Sequence, residues 1–298
     1  MINITSWTEL YAVRNDLTED YVLTANLSSS DDDYAGIGDD WTPIGTLVNP
    51  FEGSFDGQGF TISDLIVNVA IDYAGLFGLI AGGTIDRVSL INNDITGLNK
   101  VGGLAGALQA SSINNSYAIG TVSGTENVGG LAGYGVTYAV NDSYAIGTVS
   151  GTENVGGLVG NAAFWVGVRN SYAIGTVNCG GVVAGGLIGN LNLGLALNSG
   201  WYTGAGGDAT NGIGNPDSAV TYQTADVSVF YDKTYGVYTA GATVWDFTTP
   251  IWYELTGDYP KITKSIIIGT GDVRSGVEWT ADIYLATGDV RDGVEYGT

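Results

Sequence analysis

Residues 116–133 read SYAIGTVSGTENVGGLAG, and residues 143–160 read SYAIGTVSGTENVGGLVG, so eighteen residues recur with one change after an interval of 27. A third copy, SYAIGTVNCGGVVAGGLIG, opens at Ser171, 28 residues further on. Repeats of this length are single supersecondary units that bury their apolar faces only against their neighbours.

The same rhythm extends outward from these copies. Glycine-framed apolar motifs begin at Tyr73 (YAGLFG), Val101 and Val128 (VGGLAG), Val155 (VGGLVG) and Ala184 (AGGLIG), at intervals of 28, 27, 27 and 29. A spacing this constant is what a solenoid needs, because each backbone lap must land in register on the one below. Within SYAIGTVSG the strand period of two separates Ala118, Gly120 and Val122 from Tyr117, Ile119 and Thr121. The small set is expected to face a narrow interior and the larger set to face out. Identical side chains then stack about 4.8 Å apart. That predicts ladders of Tyr117, Tyr144 and Tyr172 and of Thr121, Thr148 and Thr176, with Glu126 over Glu153 tolerated only if both reach solvent. Val128 and Leu131, with their equivalents, are the expected core plugs, and the Gly-Gly pairs are expected to turn the corners through positive φ and close packing. The fold class that follows is all-β: a right-handed parallel β-helix of about 27-residue coils.

Before the coils, residues 5–17 (TSWTELYAVRNDL) carry a capping-box spacing, Ser6 to Glu9, with Leu10, Val13 and Leu17 on one face. A helix is predicted there, then a strand in DYVLTANL, as an N-terminal cap over residues 1–40. Asp31, Asp32, Asp33, Asp39 and Asp40 crowd the loop that follows. Clustered carboxylates suit calcium, but this run lacks the alternating spacing of a calcium loop and reads first as an ordinary solvated loop. No other cofactor is suggested. The solenoid is expected over 41–264, with a connector tail over 265–298 in which GDVR-x-GVE recurs at an interval of 17.

Composition limits the function. Gly is 48 of 298 residues, and charged residues are 13% against a usual share of about 25%. The net charge of -22 is uneven: residues 1–72 hold thirteen acids and one base, Arg14, while residues 101–200 hold only Glu126, Asp142, Glu153 and Arg169. Such a chain lacks the basic patch that nucleic acid or anionic lipid requires. No apolar run approaches the length of about 20 residues that spans a bilayer, and MINITSWTEL has no signal-peptide pattern. A single cysteine, Cys179, precludes an intrachain disulfide.

Catalysis finds little support. With no His, neither a serine triad nor an HExxH zinc site can be assembled, and Cys179 lacks its usual base. Carboxylates in the array recur as turn residues instead of forming one asymmetric pair of the kind glycoside hydrolysis uses. A polysaccharide-active enzyme is therefore the least favoured reading. Binding is favoured over it, through segments that depart from the repeat: YGVTYAV, NAAFWVGVR and LNLGLALNSGWYTGAGG. Phe164, Trp165, Trp201 and Tyr202 are large side chains among small ones; they stand as candidate contacts to a sugar or a protein, or as seals over the core. Trp245, Trp252 and Tyr253 are expected to cover the last coil.

The motifs VGGLAG and VGGLVG, the lead-in WTPIGTLVNPFEGSFDGQGFTISDL and the closing VWDFTTPIWYELTGDYPKI together resemble the GLUG-repeat arrays of bacterial haemagglutinin-like surface proteins. The short C-terminal repeat is similar to modules of phage structural and environmental surface proteins. These resemblances imply a non-enzymatic adhesin or fibre module at a cell or virion surface, joined to further modules of the same polypeptide and open to self-association. A structural spacer is the alternative.

Overall fold

The computed structural model describes residues 1–181, 183–197, 199–203, 208, 212–216, 252–253 and 261–262. Each coil of the repeat folds into four short strands. In the coil around the third glycine motif these are Ser112–Asn114, Tyr117–Ser123, Glu126–Gly129 and Ala132–Val136. Each strand pairs in parallel with its equivalents one coil before and one coil after, which generates four sheets, numbered I to IV in that chain order. Sheet I runs from Ile2–Ile4 to Leu195–Leu197 and sheet IV from Phe77–Ala81 to Ile213–Pro216. The stack is a β-solenoid of about five turns. The pair Trp252–Tyr253 and Lys261–Ile262 is antiparallel and separate from these sheets. Trp245, the side chains of Trp252 and Tyr253, and the 265–298 tail lie outside the described residues.

Register is the expected one. Tyr117, Ile119, Thr121 and Val122 pair with Tyr144, Ile146, Thr148 and Val149, and these with Tyr172, Ile174, Thr176 and Val177. The three tyrosine rings stack with centroids 4.6 and 4.9 Å apart and planes 4° apart. Aromatic pairs of this kind contribute about 0.5–1.5 kcal/mol each beyond their burial. Thr121 donates to Asp94 at 2.9 Å across the coil interface. Glu126 over Glu153 is in register, and both carboxylates are exposed.

The interior follows the predicted parity. Ala118 and Val122 are buried, while Ile119 is half-buried and Thr121 exposed. Leu104, Leu131, Leu158 and Leu187 form a fully buried column, flanked by Val101, Val128 and Val155. Along the inner side of sheet II the column reads Ile62, Leu90, Ala118, Ala145, Ala173, Trp201, so the coils are narrowest in the middle. There the methyls face glycines: a Cβ on Gly130 would stand 2.7 Å from Cβ of Ala145 and collide with the carbonyl of Gly157. Aromatics fill the core of the first and last described coils. At the N-terminal end the helix Trp7–Ala12 lays Trp7 beside Trp41 (ring centroids 6.2 Å apart) and Tyr34 (5.4 Å), and in the last described coil the ring of Trp201 lies on Gly186. Ser6 caps that helix by accepting the Glu9 amide, while the Glu9 carboxylate reaches back to Thr5. The N-terminal segment is continuous with the stack, since Ile2–Ile4 and Tyr21–Leu23 pair in parallel at the start of sheet I.

The corners correct the reading of the glycine pairs. Gly129 and Gly130 do not adopt positive φ; close backbone approach alone requires them. Left-handed residues turn the chain instead, in three stacked columns: Arg87, Asn115, Asp142 and Asn170 between sheets I and II; Tyr73, Lys100, Asn127 and Asn154 along sheet III; and Gly82, Ala110, Thr137, Trp165 and Leu193 between sheets IV and I. Asn and Asp tolerate this conformation because their short side chains bond locally. Here they also bond between coils, Asn154 to Asn127 at 3.1 Å and Asn170 to Asp142 at 3.0 Å. Positive φ does occur mid-strand, at Gly147 (140°) and Gly175 (139°).

Beside the first corner runs a buried ladder that the sequence copies conceal in their first letter. Ser116, Ser143 and Ser171 have no exposed surface, and each hydroxyl accepts the amide of the preceding coil: Val88 at 3.0 Å, Ser116 at 3.2 Å and Ser143 at 3.2 Å. Each also donates to the carbonyl two residues before it, at 2.6–2.7 Å. One side chain thus satisfies a donor and an acceptor where the backbone turns away from its ladder.

Two expectations follow for urea unfolding. Ser143→Ala orphans the Ser116 amide and the Asn141 carbonyl and lowers stability by about 1–3 kcal/mol, whereas Thr148→Ala on the outer face stays within about 0.5 kcal/mol. Gly147→Ala, which drives a methyl into the Gly120 carbonyl at a φ that L-residues avoid, costs at least about 1–3 kcal/mol, while Gly82→Asn in open space at φ 79° is nearly silent.

Candidate binding corner

Between sheets IV and I each coil turns at one left-handed residue, and the residue after it points into the core. The inward residues are Gly83, Ser111, Tyr138, Val166 and Gly194, all buried. Tyr138 is by far the largest, and it fits because Gly135 stands where the neighbouring coils carry Leu108 and Ala162. A Cβ at Gly135 would collide with the Tyr138 ring, so the phenol occupies the space that residue leaves. The Tyr138 hydroxyl is buried with no hydrogen-bond partner among the described residues, and burial raises its pKa, so it stays protonated and can only gain by donating.

The left-handed residues themselves point outward. Trp165 is 76% exposed and Leu193 is 57% exposed, with Phe164 (47%) and Leu195 (48%) beside them. Between them lies a cleft of about 530 Å³ lined by Tyr138, Trp165, Val166, Arg169, Leu193 and Leu195. Its size is that of an ordinary small-molecule site, about 300–1,000 Å³. Three backbone amides of the turn are engaged between coils: Thr137 donates to Phe164, Trp165 to Leu193 and Leu195 to Val166.

Arg169 supplies the charge. It occupies the sheet I column that reads Asp56, Asp86, Asn114, Asn141, Arg169. Its guanidinium folds back over Gly167, where an added Cβ would come within 2.6 Å of its nitrogen. Arg87 differs, being held by Asp56 and Asp86, and so does Arg14, which lies over the rings of Tyr11 and Trp41 with its pKa brought down to about 10 by burial. Among the described residues Arg169 forms no ion pair.

The four aromatic candidates thus part company. Phe164 and Trp165 are displayed; Trp201, 7% exposed, seals the core; and the side chain of Tyr202 lies outside the described residues. The segments read as interruptions of the repeat are ordinary strands of sheets IV and I, Ala132–Val136 with Ala139–Asn141 and Val159–Phe164 with Gly167–Arg169. Only the corner residue between them is unusual. Arg169, Leu193 and Leu195 lie in the segments the sequence marked as binding candidates but were not singled out there; the signal that does so is the column alignment, which shows an arginine where acids and amides stand.

The acidic loop does not assemble a calcium site. Asp31 accepts the Ser28 amide at 2.7 Å, Asp33 the Thr8 amide at 2.8 Å and Asp39 the Gly36 amide at 2.5 Å, while Asp32 and Asp40 are exposed. Among the described residues no three carboxylates converge on one point. The carboxylates cap turns, which is why they cluster in sequence without meeting in space.

Among the described residues no carboxylate lines the cleft, and Arg169 is its charged side chain. Such a set can hold a ligand but offers no acid–base pair.

No known family profile matches the chain. It is 34% identical over 128 residues to halomucin of Haloquadratum walsbyi and 36% identical over 109 residues to a protein of Evansella cellulosilytica named "Putative Gly-rich membrane protein". These matches cover 40% and 36% of this chain but only 1% and 11% of those proteins. Among solved structures, one described as a "putative immunoglobulin A1 protease" from Bacteroides ovatus superposes with a TM-score of 0.60 over 88% of this chain and 92% of that one, at 21% identity. At that identity the likeness establishes a common fold: this chain and the Bacteroides protein are built on the same stacked-coil architecture.

Proposed function

We propose that this chain is a non-enzymatic β-solenoid module of a larger surface protein, adhering to a glycan or protein partner through the corner between sheets IV and I. The observation that carries the reading is Trp165. It holds a left-handed backbone that costs an ordinary L-residue about 1–2 kcal/mol, and its 76% exposure returns almost no burial energy. Neither conformation nor packing among the described residues accounts for a tryptophan at that point. A contact made outside the chain does, and Trp is the residue type that most often anchors such contacts.

The names of the curated relatives, a halomucin and a Gly-rich membrane protein, favour an extracellular or surface setting, as does the GLUG resemblance. None of the helices among the described residues is long and apolar enough to cross a membrane. The Bacteroides structure supplies the scaffold without supplying chemistry for the cleft.

The test couples binding to stability. On a glycan array and on extracts of surface proteins, Trp165→Asn weakens adhesion at least about tenfold, as expected for an anchor aromatic. The same change raises unfolding stability by about 1 kcal/mol, because Asn accepts the left-handed backbone. Unchanged adhesion, or no Trp165-dependent partner at all, makes the module a structural spacer instead.

A further inference from the structure

We propose that the corner cleft takes a carboxylated sugar, a uronic-acid unit of an acidic polysaccharide, with the sugar ring against Trp165 and its carboxylate on Arg169. This rests on the adhesion reading above and narrows it to one ligand chemistry.

Three observations point to an anionic sugar. The first is the placement of charge. The chain has only 9 Lys and Arg against 31 acids, yet among the described residues it sets a guanidinium without an ion-pair partner at the rim of the cleft, beside Trp165, which is 76% exposed. A planar guanidinium matches a carboxylate bidentately, and one already folded against Gly167 has less freedom to lose on binding. The second is the lining itself. Trp165, Leu193 and Leu195 are apolar walls suited to the faces of a pyranose ring, and Arg169 is the charged side chain set among them. The third is the backbone. Extended peptides are commonly held by adding a strand, but the amides of Thr137, Trp165 and Leu195 already donate between coils. Those three amides are closed to a ligand strand. The coils around it are close to neutral, with only Glu126, Asp142 and Glu153 as acids between residues 101 and 200, so the acidity of the N-terminal region does not bear directly on the site.

The experiment titrates the full chain, following tryptophan fluorescence and calorimetry, with short oligomers of galacturonate, glucuronate and mannuronate, each paired with its methyl ester, and with an oligoglutamate peptide. Expected is a preference of about tenfold for at least one uronate over its ester, the difference made by one charged hydrogen-bonded pair. Arg169→Gln abolishes that preference while leaving ester binding in place; Trp165→Ala removes both; raising the salt concentration narrows the preference. Equal binding of every acid and its ester, a preference that survives Arg169→Gln, or oligoglutamate binding as tightly as the uronates overturns the proposal. If Trp165-dependent adhesion to a neutral glycan or a protein persists alongside such a result, the adhesion reading stands and only the acidic-sugar assignment falls. If no Trp165-dependent partner exists, both fall.

Discussion

A backbone that winds in laps has to donate its amides to the lap beside it, and that requirement sets the length of every repeat. Parallel pairing brings residue after residue onto its equivalent, Tyr117 on Tyr144 on Tyr172, with no freedom to slip, because a one-residue shift would exchange the inner and outer sets. The drift in spacing between 27 and 29 is absorbed at corners and bulges. One such adjustment lies between Ile119 and Gly120, where the chain pairs with the longer strand Ser89–Thr96. The buried serines extend the same requirement to the one point where the backbone leaves its ladder, by letting a hydroxyl stand in for the amide and carbonyl that turn away.

Volume is the second constraint, and it acts on pairs of residues. The middle coils place alanine methyls against glycines, so a larger residue on either side must be matched by a smaller one. Tyr138 and Gly135 are such an exchange within one coil, relative to Ser111 and Leu108 in the coil before. Packing of this kind preserves total volume while moving bulk from one wall to another. It also left a phenol hydroxyl without a partner, a cost that a purely structural replacement by phenylalanine would have avoided.

The sequence made the coil legible because its copies are nearly verbatim: interval, register, ladders and core columns all follow from lining up SYAIGTV with itself. It was less informative wherever one residue type serves two purposes. Glycine pairs suggested positive φ, but in Gly129 and Gly130 the need is for space, and left-handed turning falls to Asn115, Asp142 and Asn127, whose signal was hidden inside the repeat. The acidic loop looked like a ligand cluster because proximity in sequence was the only proximity on offer, whereas Asp31, Asp33 and Asp39 each turn to a different backbone amide. Of the aromatics, Trp165 and Trp201 are alike in sequence. Their fates differ by one parity step: Trp201 continues the inner alanine column, and Trp165 sits on a corner whose side chain has nowhere to go but out.

That difference explains why variation concentrates at one corner. The corner between sheets I and II is tied by amide and carboxylate side chains that bond between coils, and the turn along sheet III is tied by Asn127 and Asn154, so changing either breaks a ladder. The corner between sheets IV and I relies on backbone bonds alone, Trp165 to Leu193 being one of them. Its side chain makes none of the bonds that hold the coils, which leaves the column free to read Gly, Ala, Thr, Trp, Leu from one coil to the next. The backbone charges a modest conformational penalty for those last four residues, and the fold tolerates it because no neighbouring coil depends on what they are. A solenoid can therefore alter its surface chemistry there, one coil at a time, while the stacked interior stays the same.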